Sequence, residues 1–112
     1  MAVFSASLKF GCVDGPSIAK LIGTTATVYT QGYRQVADGT SNSAIAFGPV
    51  TTADILYIES DQQITLKQVS GDTAITIDAG GFVLLWGTSA TAYIISNASG
   101  STANVTYIIA GA

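Results

Sequence analysis

The chain has no histidine and only one cysteine among its 112 residues. Histidine is the most common general acid or base in enzymes, so its absence excludes Ser–His and Cys–His nucleophilic systems. The usual zinc sites built from cysteine and histidine are excluded for the same reason. A single cysteine, Cys12, also excludes an internal disulfide, and we expect it to be a small buried apolar residue. These absences predict a protein that is not an enzyme and needs no cofactor or metal.

Charge is scarce as well. Charged residues make up 10% of the chain, against about 25% in a typical soluble domain, and the mean hydropathy is +0.47. Serine, threonine, alanine and glycine must therefore cover the surface, or part of it is hidden against other subunits. The net charge is −3, and the four basic residues are scattered, so no basic patch is available for nucleic acid. We expect self-association and no nucleic-acid partner.

Long hydrophobic runs are absent too. The longest strongly apolar run, residues 82–86, is far shorter than the ~20 residues that a membrane-spanning helix needs. The first five residues lack the basic and long apolar regions of a secretory signal. We therefore expect no membrane partner and no secretory leader, and a single domain over residues 1–112.

Short runs of β-branched and aromatic residues are plentiful, and Gly, Asn, Asp and Ser separate them. Residues 3–10 alternate with period two, and residues 53–59 form an apolar run suited to a strand covered on both faces. Runs recurring at roughly 8–12 residues are typical of sandwiches and barrels. We predict an all-β fold, a jelly-roll-like two-sheet sandwich of about eight short antiparallel strands. The other predicted strands are 25–36, 45–47, 64–69, 74–78, 82–86, 92–96 and 104–110.

One segment favours a helix. Ser17 is a suitable cap, and Ile18, Leu21 and Ile22 follow at i, i+3 and i+4. The sequence predicts one or two helical turns over residues 17–22, ended by Gly23.

Glycines and one apolar run give three further expectations. Gly32 predicts a bulge or break inside strand 25–36. Residues 82–86 are the most buried-looking stretch, so Trp86 is expected in the core. Gly87 is expected to end that strand.

Two acidic residues, Glu59 and Asp61, flank a turn and are expected to be neighbours. Asp54 and Glu59 would lie roughly 16 Å apart along a strand, too far for a glycosidase pair. We interpret Glu59 and Asp61 as solvated acids at a strand end, with a weak calcium site as the alternative. The glycosylation triplets at Asn97 and Asn104 are interpreted as chance matches in a chain rich in serine and threonine.

The second half of the chain resembles a known class of protein. The resemblance is carried by ADILYIESDQ at 53–62, ITL at 64–66, AGGFVLL at 79–85 and SNASGSTA at 96–103. This pattern of strands and turns, which covers roughly residues 53–110, is similar to small virion proteins of tailed bacteriophages, of the decoration, cement or accessory tail type. The resemblance implies a β-sandwich or jelly-roll protein, usually trimeric, attached to a capsid or tail.

Two functions are therefore considered. The first is a capsid decoration or cement protein, made in the host cytoplasm and located in the virion, whose partners are copies of itself and the major capsid protein or another virion protein. The alternative is a receptor- or carbohydrate-binding module of a tail tip or fibre, suggested by the five tyrosines. The alternating segment 3–10 is suited to pair with a neighbouring subunit's sheet, and two tyrosines flank the expected break at Gly32. The candidate self- or capsid-interface residues are Val3, Phe4, Leu8, Phe10, Tyr29 and Tyr33.

Overall fold

The computed structural model describes residues 2–11, 13–15 and 17–112, except for the side chains of Ala2 and Phe10. Within these residues the protein forms ten β-strands and no helix, which confirms the all-β prediction. No helix there is long and apolar enough to cross a membrane. The strands are β1 (Ala2–Gly11), β2 (Ser17–Ala26), β3 (Val28–Val36), β4 (Ser43–Ala44), β5 (Ala53–Ser60), β6 (Ile64–Lys67), β7 (Ile75–Ile77), β8 (Phe82–Ala90), β9 (Ile94–Ser96) and β10 (Ala103–Gly111).

The strands form three sheets, and every pairing is antiparallel. One four-stranded sheet has the order β3-β10-β5-β8, and the other has the order β4-β9-β6-β7. The first two strands pair only with each other, as a separate hairpin. The sandwich thus uses the eight strands β3 to β10, and the hairpin is additional to it.

The hydrophobic core lies between the two four-stranded sheets. Alternate residues of each strand point into it because successive side chains of a strand lie on opposite faces. The residues of the core cluster that are at most 1% exposed are Val36, Ala53, Leu56, Ile58, Ile64, Leu66, Tyr93, Ile95, Ala103, Val105 and Ile109.

The central strand β5 is buried along its core face and covered at one position of its opposite face. Leu56 and Ile58 belong to the core between the sheets. Ile55, on the opposite face, belongs to a second small cluster with Ala26 and Ala110. Asp54, Tyr57 and Glu59 of that face are exposed or half-buried, so the double coverage that the apolar run favours is confirmed at Ile55 only.

The expected helix over residues 17–22 is wrong, because this segment belongs to strand β2. It pairs along its length with β1, Ile18 opposite Phe10 and Ile22 opposite Ala6. A helix of six residues gains too few hydrogen bonds to offset its nucleation, whereas ten-residue pairing in a hairpin satisfies the backbone of both strands. The branched side chains of Ile18 and Ile22 also favour a strand.

The expected bulge at Gly32 is wrong as well. Strand β3 runs through it in regular register with β10, and the break in segment 25–36 lies instead at Thr27, between β2 and β3. A Cβ placed on Gly32 would lie 2.3 Å from the Tyr107 ring. Glycine is needed here because the ring of its cross-strand partner lies over the backbone.

Strand β8 differs from its prediction in burial and in length. It is an edge strand, with Phe82 and Leu84 exposed and Val83 and Leu85 partly buried against the core. An uninterrupted apolar run carries no period, so it did not reveal that one face is uncovered. Trp86, expected in the core, packs instead against the Ala26–Ile55–Ala110 cluster on the other side of the sheet.

Gly87 does not end this strand. Its φ of 79° places it in the left-handed region that glycine tolerates, and β8 continues to Ala90. The register with β5 shifts at this point, between Ala53 and Ile55. Gly87 therefore lies at a bulge inside β8.

The remaining differences are in strand bounds. The strand expected at 45–47 lies at Ser43–Ala44, although the Ile45 amide still donates to the Tyr93 carbonyl at 3.0 Å. The strands expected at 64–69, 74–78 and 92–96 are each shorter. Cys12 lies outside the described residues.

The side chain of Asn97 connects two loops to the sandwich by hydrogen bonds. Its side chain is fully buried and donates to the carbonyls of Val36 and Ser101, each at 2.8 Å, while its Oδ1 accepts from the Ser99 amide at 3.0 Å. Every polar atom of the amide therefore has a partner, which a buried polar group requires. The glycosylation triplet at this position thus contains a structural residue.

Two glycines in strands provide a test of the packing. We expect Gly32→Ala to lower the free energy of unfolding by about 1–3 kcal/mol, because the Tyr107 ring must move to admit a methyl group. Gly23→Ala is the matched control, since its Cβ would meet only the Phe4 carbonyl at 3.6 Å. Urea unfolding of both variants measures the difference. Equal stabilities would contradict the assigned role of Gly32.

Candidate interaction surface

The β3-β10-β5-β8 sheet has one face in the core and a second that points away from it, called here the outer face. The strand register places its side chains in rows across the four strands. The first row is Tyr29, Ala110, Ile55 and Trp86; the second is Gln31, Ile108, Tyr57 and Leu84; the third is Tyr33, Thr106, Glu59 and Phe82.

Large apolar and aromatic side chains of the outer face are exposed. Phe82 is 64% exposed and Tyr33 63%, and Tyr57 and Ile108 of the second row are half-buried. A contiguous apolar surface of this kind on a sheet is typical of an interaction site. The second and third rows together therefore form the candidate surface.

Tyr57, Phe82 and Glu59 form a cluster on β5 and the edge strand β8. The rings of Tyr57 and Phe82 lie 5.7 Å apart with an interplanar angle of 31°, and the Tyr57 hydroxyl donates to Glu59 Oε2 at 2.9 Å. This hydrogen bond, then desolvation and the negative charge of Glu59, raise the pKa of Tyr57 above 10.0. The contacts fix both aromatic rings in place, so the cluster is pre-ordered for a partner.

A chain of hydrogen bonds runs along one end of the outer face. The Tyr33 hydroxyl donates to Asn104 Oδ1 at 2.6 Å, and Asn104 donates to Asp61 from its backbone amide at 2.7 Å and from Nδ2 at 2.6 Å. The backbone bond first and the side-chain bond second lower the pKa of Asp61 below 3.8. The turn after β5 is thereby attached to β10 and β3.

A shallow cleft of about 250 Å³ lies beside this chain. Backbone from Gly80 and Gly81 and the side chains of Glu59, Asp61 and Asn104 contribute to its walls. The cleft combines carboxylate and amide groups with the neighbouring aromatic cluster. Such a combination suits polar ligands with hydroxyl groups better than purely apolar ones.

Glu59 and Asp61 were also considered as a weak calcium site. Both carboxylates already accept hydrogen bonds, Glu59 from Tyr57 and Asp61 from Asn104. Across residues 2–11, 13–15 and 17–112, no three His, Cys, Asp or Glu side chains form a group that could hold a metal ion. The hydrogen bonds give Asp61 a structural role in its turn.

The hairpin of β1 and β2, called here the arm, has two unlike faces. Residues directly opposite each other share a face, and one face carries Phe4, Ala6, Ile22, Leu8 and Ile18 together with Lys20. The other face carries mostly small and polar residues, with Val3 and Leu21 as its large apolar members. The first is called the apolar face of the arm.

Of the arm residues described by the structure, those near its base pack on the sandwich. Phe4 packs against the Ala26–Ile55–Ala110 cluster beside Trp86, and its ring meets Tyr29 edge-on at 5.8 Å. Farther along the same face Leu8 is 53% exposed and Ile18 58%. The apolar face therefore continues past the part that is covered.

The candidate interface residues lie in three places. Phe4 and Tyr29 are in contact, and Leu8 is exposed on the apolar face of the arm. Val3 is exposed on the opposite face, and Tyr33 is exposed on the outer face, so the structure does not bring all of them together. The exposure expected of Tyr29 and Tyr33 is confirmed, and the Phe10 side chain lies outside the described residues.

Sequence reasoning missed Tyr57, Phe82, Leu84 and Ile18 as surface residues. Tyr57, Phe82 and Leu84 lie in apolar runs, where exposed and buried positions look alike, and Ile18 was assigned to a helix. No signal in the sequence distinguished Phe82 from the buried members of its run.

The Asp61 network predicts a pH dependence. Because the pKa of Asp61 is lowered in the folded state, its contribution to stability is complete above pH 3.8 and is lost as the pH falls below that value. We expect Asp61→Asn to be less stable than wild type at neutral pH, with the gap closing toward about pH 2. Urea unfolding across this range measures it.

Asp54→Asn is the control, because Asp54 is exposed and belongs to no hydrogen bond of this network. A gap between wild type and Asp61→Asn that stays constant down to pH 2 would contradict the role given to Asp61.

Comparison with models of protein families and with curated proteins finds no match to this chain.

Proposed function

We propose that this chain is a structural protein of a tailed-phage virion, a capsid decoration or cement protein that binds the outer capsid surface as a symmetric oligomer. The observation that carries the proposal is the pairing of an exposed aromatic outer face with an arm whose apolar face is only partly covered. In a monomer both surfaces would expose apolar side chains to water and would favour aggregation. Assembly removes both from water.

The order of strands supports the proposal. Counted from β3, the two sheets have the orders 1-8-3-6 and 2-7-4-5. We infer a jelly roll, since this is the arrangement in which that fold places its eight strands. A fold of this kind is compatible with many functions, so the order supports the reading only together with the exposed surfaces and the resemblance of residues 53–110.

The same surfaces explain how such a protein would act without catalysis. Each contact of one subunit with a capsid protein need only be modest, because an oligomer held at one site meets its second and third sites at high effective concentration. Copies of the chain itself and the major capsid protein are the partners that the proposal implies, a trimer being the preferred oligomer.

The alternative is a receptor- or carbohydrate-binding module of a tail tip or fibre. One observation favours it, namely the cleft with Glu59, Asp61 and Asn104 next to the aromatic rings of Phe82 and Tyr57. Aromatic rings offer a flat apolar surface with little conformational entropy to lose, and the polar groups can bond hydroxyls. Binding to a glycan array that Phe82→Ala abolishes would favour this alternative over assembly.

The native mass tests the proposal first. We expect light scattering on a sizing column to give a multiple of the 11.4 kDa chain mass, three times that value being preferred. Electron microscopy of the source particle is then expected to show this sandwich on the outer capsid surface. A virion that contains no density for the chain would overturn the proposal.

A further inference from the structure

Among the residues that the structure describes, none covers the outer half of the arm's apolar face. Near the base, this face packs on the first row of the outer face through Phe4. Beyond Ala6, the residues Leu8, Lys20 and Ile18 lie on the same face and are exposed. The apolar face of the arm is thus packed on the sandwich near Phe4 and exposed beyond Ala6.

A two-stranded hairpin is stabilised when its apolar face packs against another surface. An isolated pair of strands is marginally stable in water, because each residue that is ordered costs conformational entropy and little apolar surface is removed in return. The radius of gyration of 14.9 Å exceeds the value of about 13 Å expected for a compact domain of this length. The arm therefore depends on a surface beyond its own sandwich.

A surface of the matching kind exists on every copy of the chain. The second and third rows of the outer face expose Phe82, Leu84 and Tyr33, and the chain's own arm covers only the first row. These rows adjoin the row on which Phe4 packs, so the outer face offers the same apolar chemistry to a second arm.

The charges are complementary as well. The arm carries Lys9 and Lys20 and a single acid, Asp14, whereas six of the seven acidic residues lie outside it. Glu59 stands in the third row of the outer face next to Phe82. A lysine on the apolar face of the arm and a glutamate on the outer face favour their approach and select its orientation.

We propose that the arm of one copy docks its apolar face on the second and third rows of a neighbouring copy's outer face. This contact rests on the self-assembly part of the proposed function and does not depend on the capsid. It joins two different surfaces, so each copy gives one arm and receives one, and repetition closes a ring when the rotation between copies allows it. A cyclic trimer satisfies this requirement.

Complementation between two defective variants tests the contact. Variant A carries Leu8→Ser and Ile18→Ser in the arm, and variant F carries Phe82→Ser and Leu84→Ser on the outer face. Each alone is expected to raise the dissociation constant at least tenfold, as loss of central apolar anchors does. Mixed, they are expected to form a 1:1 dimer in light scattering, because the intact arm of F meets the intact face of A.

Two controls keep the test specific. Leu21→Ser changes a leucine on the opposite face of the arm that is even more exposed than Leu8, and we expect the wild-type mass. Lys20→Glu and Glu59→Lys each are expected to weaken assembly about tenfold, and the double variant is expected to regain most of it. Cooperative thermal unfolding of every variant shows that each has folded.

The outcomes distinguish the arm-to-face contact from self-assembly in general. If wild type is oligomeric but A and F keep its mass, the arm-to-face contact is overturned while self-assembly stands. If A and F dissociate but fail to combine, the contact joins like surfaces and the proposal is also overturned. If wild type is a monomer at all concentrations, both the contact and the self-assembly part of the proposed function are overturned.

Discussion

The burial of two sheet faces against each other is the interaction on which the rest of the structure depends. Strand β10 lies in the middle of its sheet, between β3 and β5, and its inward residues Val105, Tyr107 and Ile109 all belong to the core. The ring of Tyr107 fills the space over Gly32, and the buried amide of Asn97 attaches the loop before β10 to the end of β3. The largest buried side chains of the described residues belong to this one layer.

A two-sheet sandwich also has two outer faces, and the chain has few charged residues with which to cover them. Seven acidic and four basic residues are too few for the surface to carry the usual density of charged side chains. On the β3-β10-β5-β8 sheet the outer face is aromatic, and its polar contacts, from Tyr57 to Glu59 and from Tyr33 through Asn104 to Asp61, hold side chains in fixed positions. These contacts restrict the aromatic side chains that this face exposes.

Much of the sandwich could be predicted from the sequence, because alternation and turn residues report strands directly. Residues 53–59 and 104–110 were located to within a residue or two, whereas the coverage of both faces expected of the first holds at Ile55 only. The local signals failed where tertiary contacts decide. The spacing of Ile18, Leu21 and Ile22 matched a helix, but pairing with β1 made it a strand, and Gly32 was needed for a ring 75 residues away.

The candidate surface could be predicted only in part. Tyr29 and Tyr33 were identified because they flank the expected break at Gly32; that break is absent, and they are exposed because the residues of β3 alternate between the two faces of the sheet. Phe82 and Leu84 lie in a run that looks uniformly buried. Which face of a run meets solvent depends on whether its strand is at the edge of a sheet and on what covers that sheet. Neither is a property of a single segment.

Hydroxyl-radical footprinting of the wild-type protein, assembled and then diluted until it dissociates, tests the central claim most directly, because it measures the exposure of individual side chains. The account predicts that Leu8, Ile18, Phe82 and Leu84 are protected in the assembled protein and react on dilution, while Leu21 and Val69 react equally in both. Equal reactivity of Phe82 and Ile18 in the two states would contradict it.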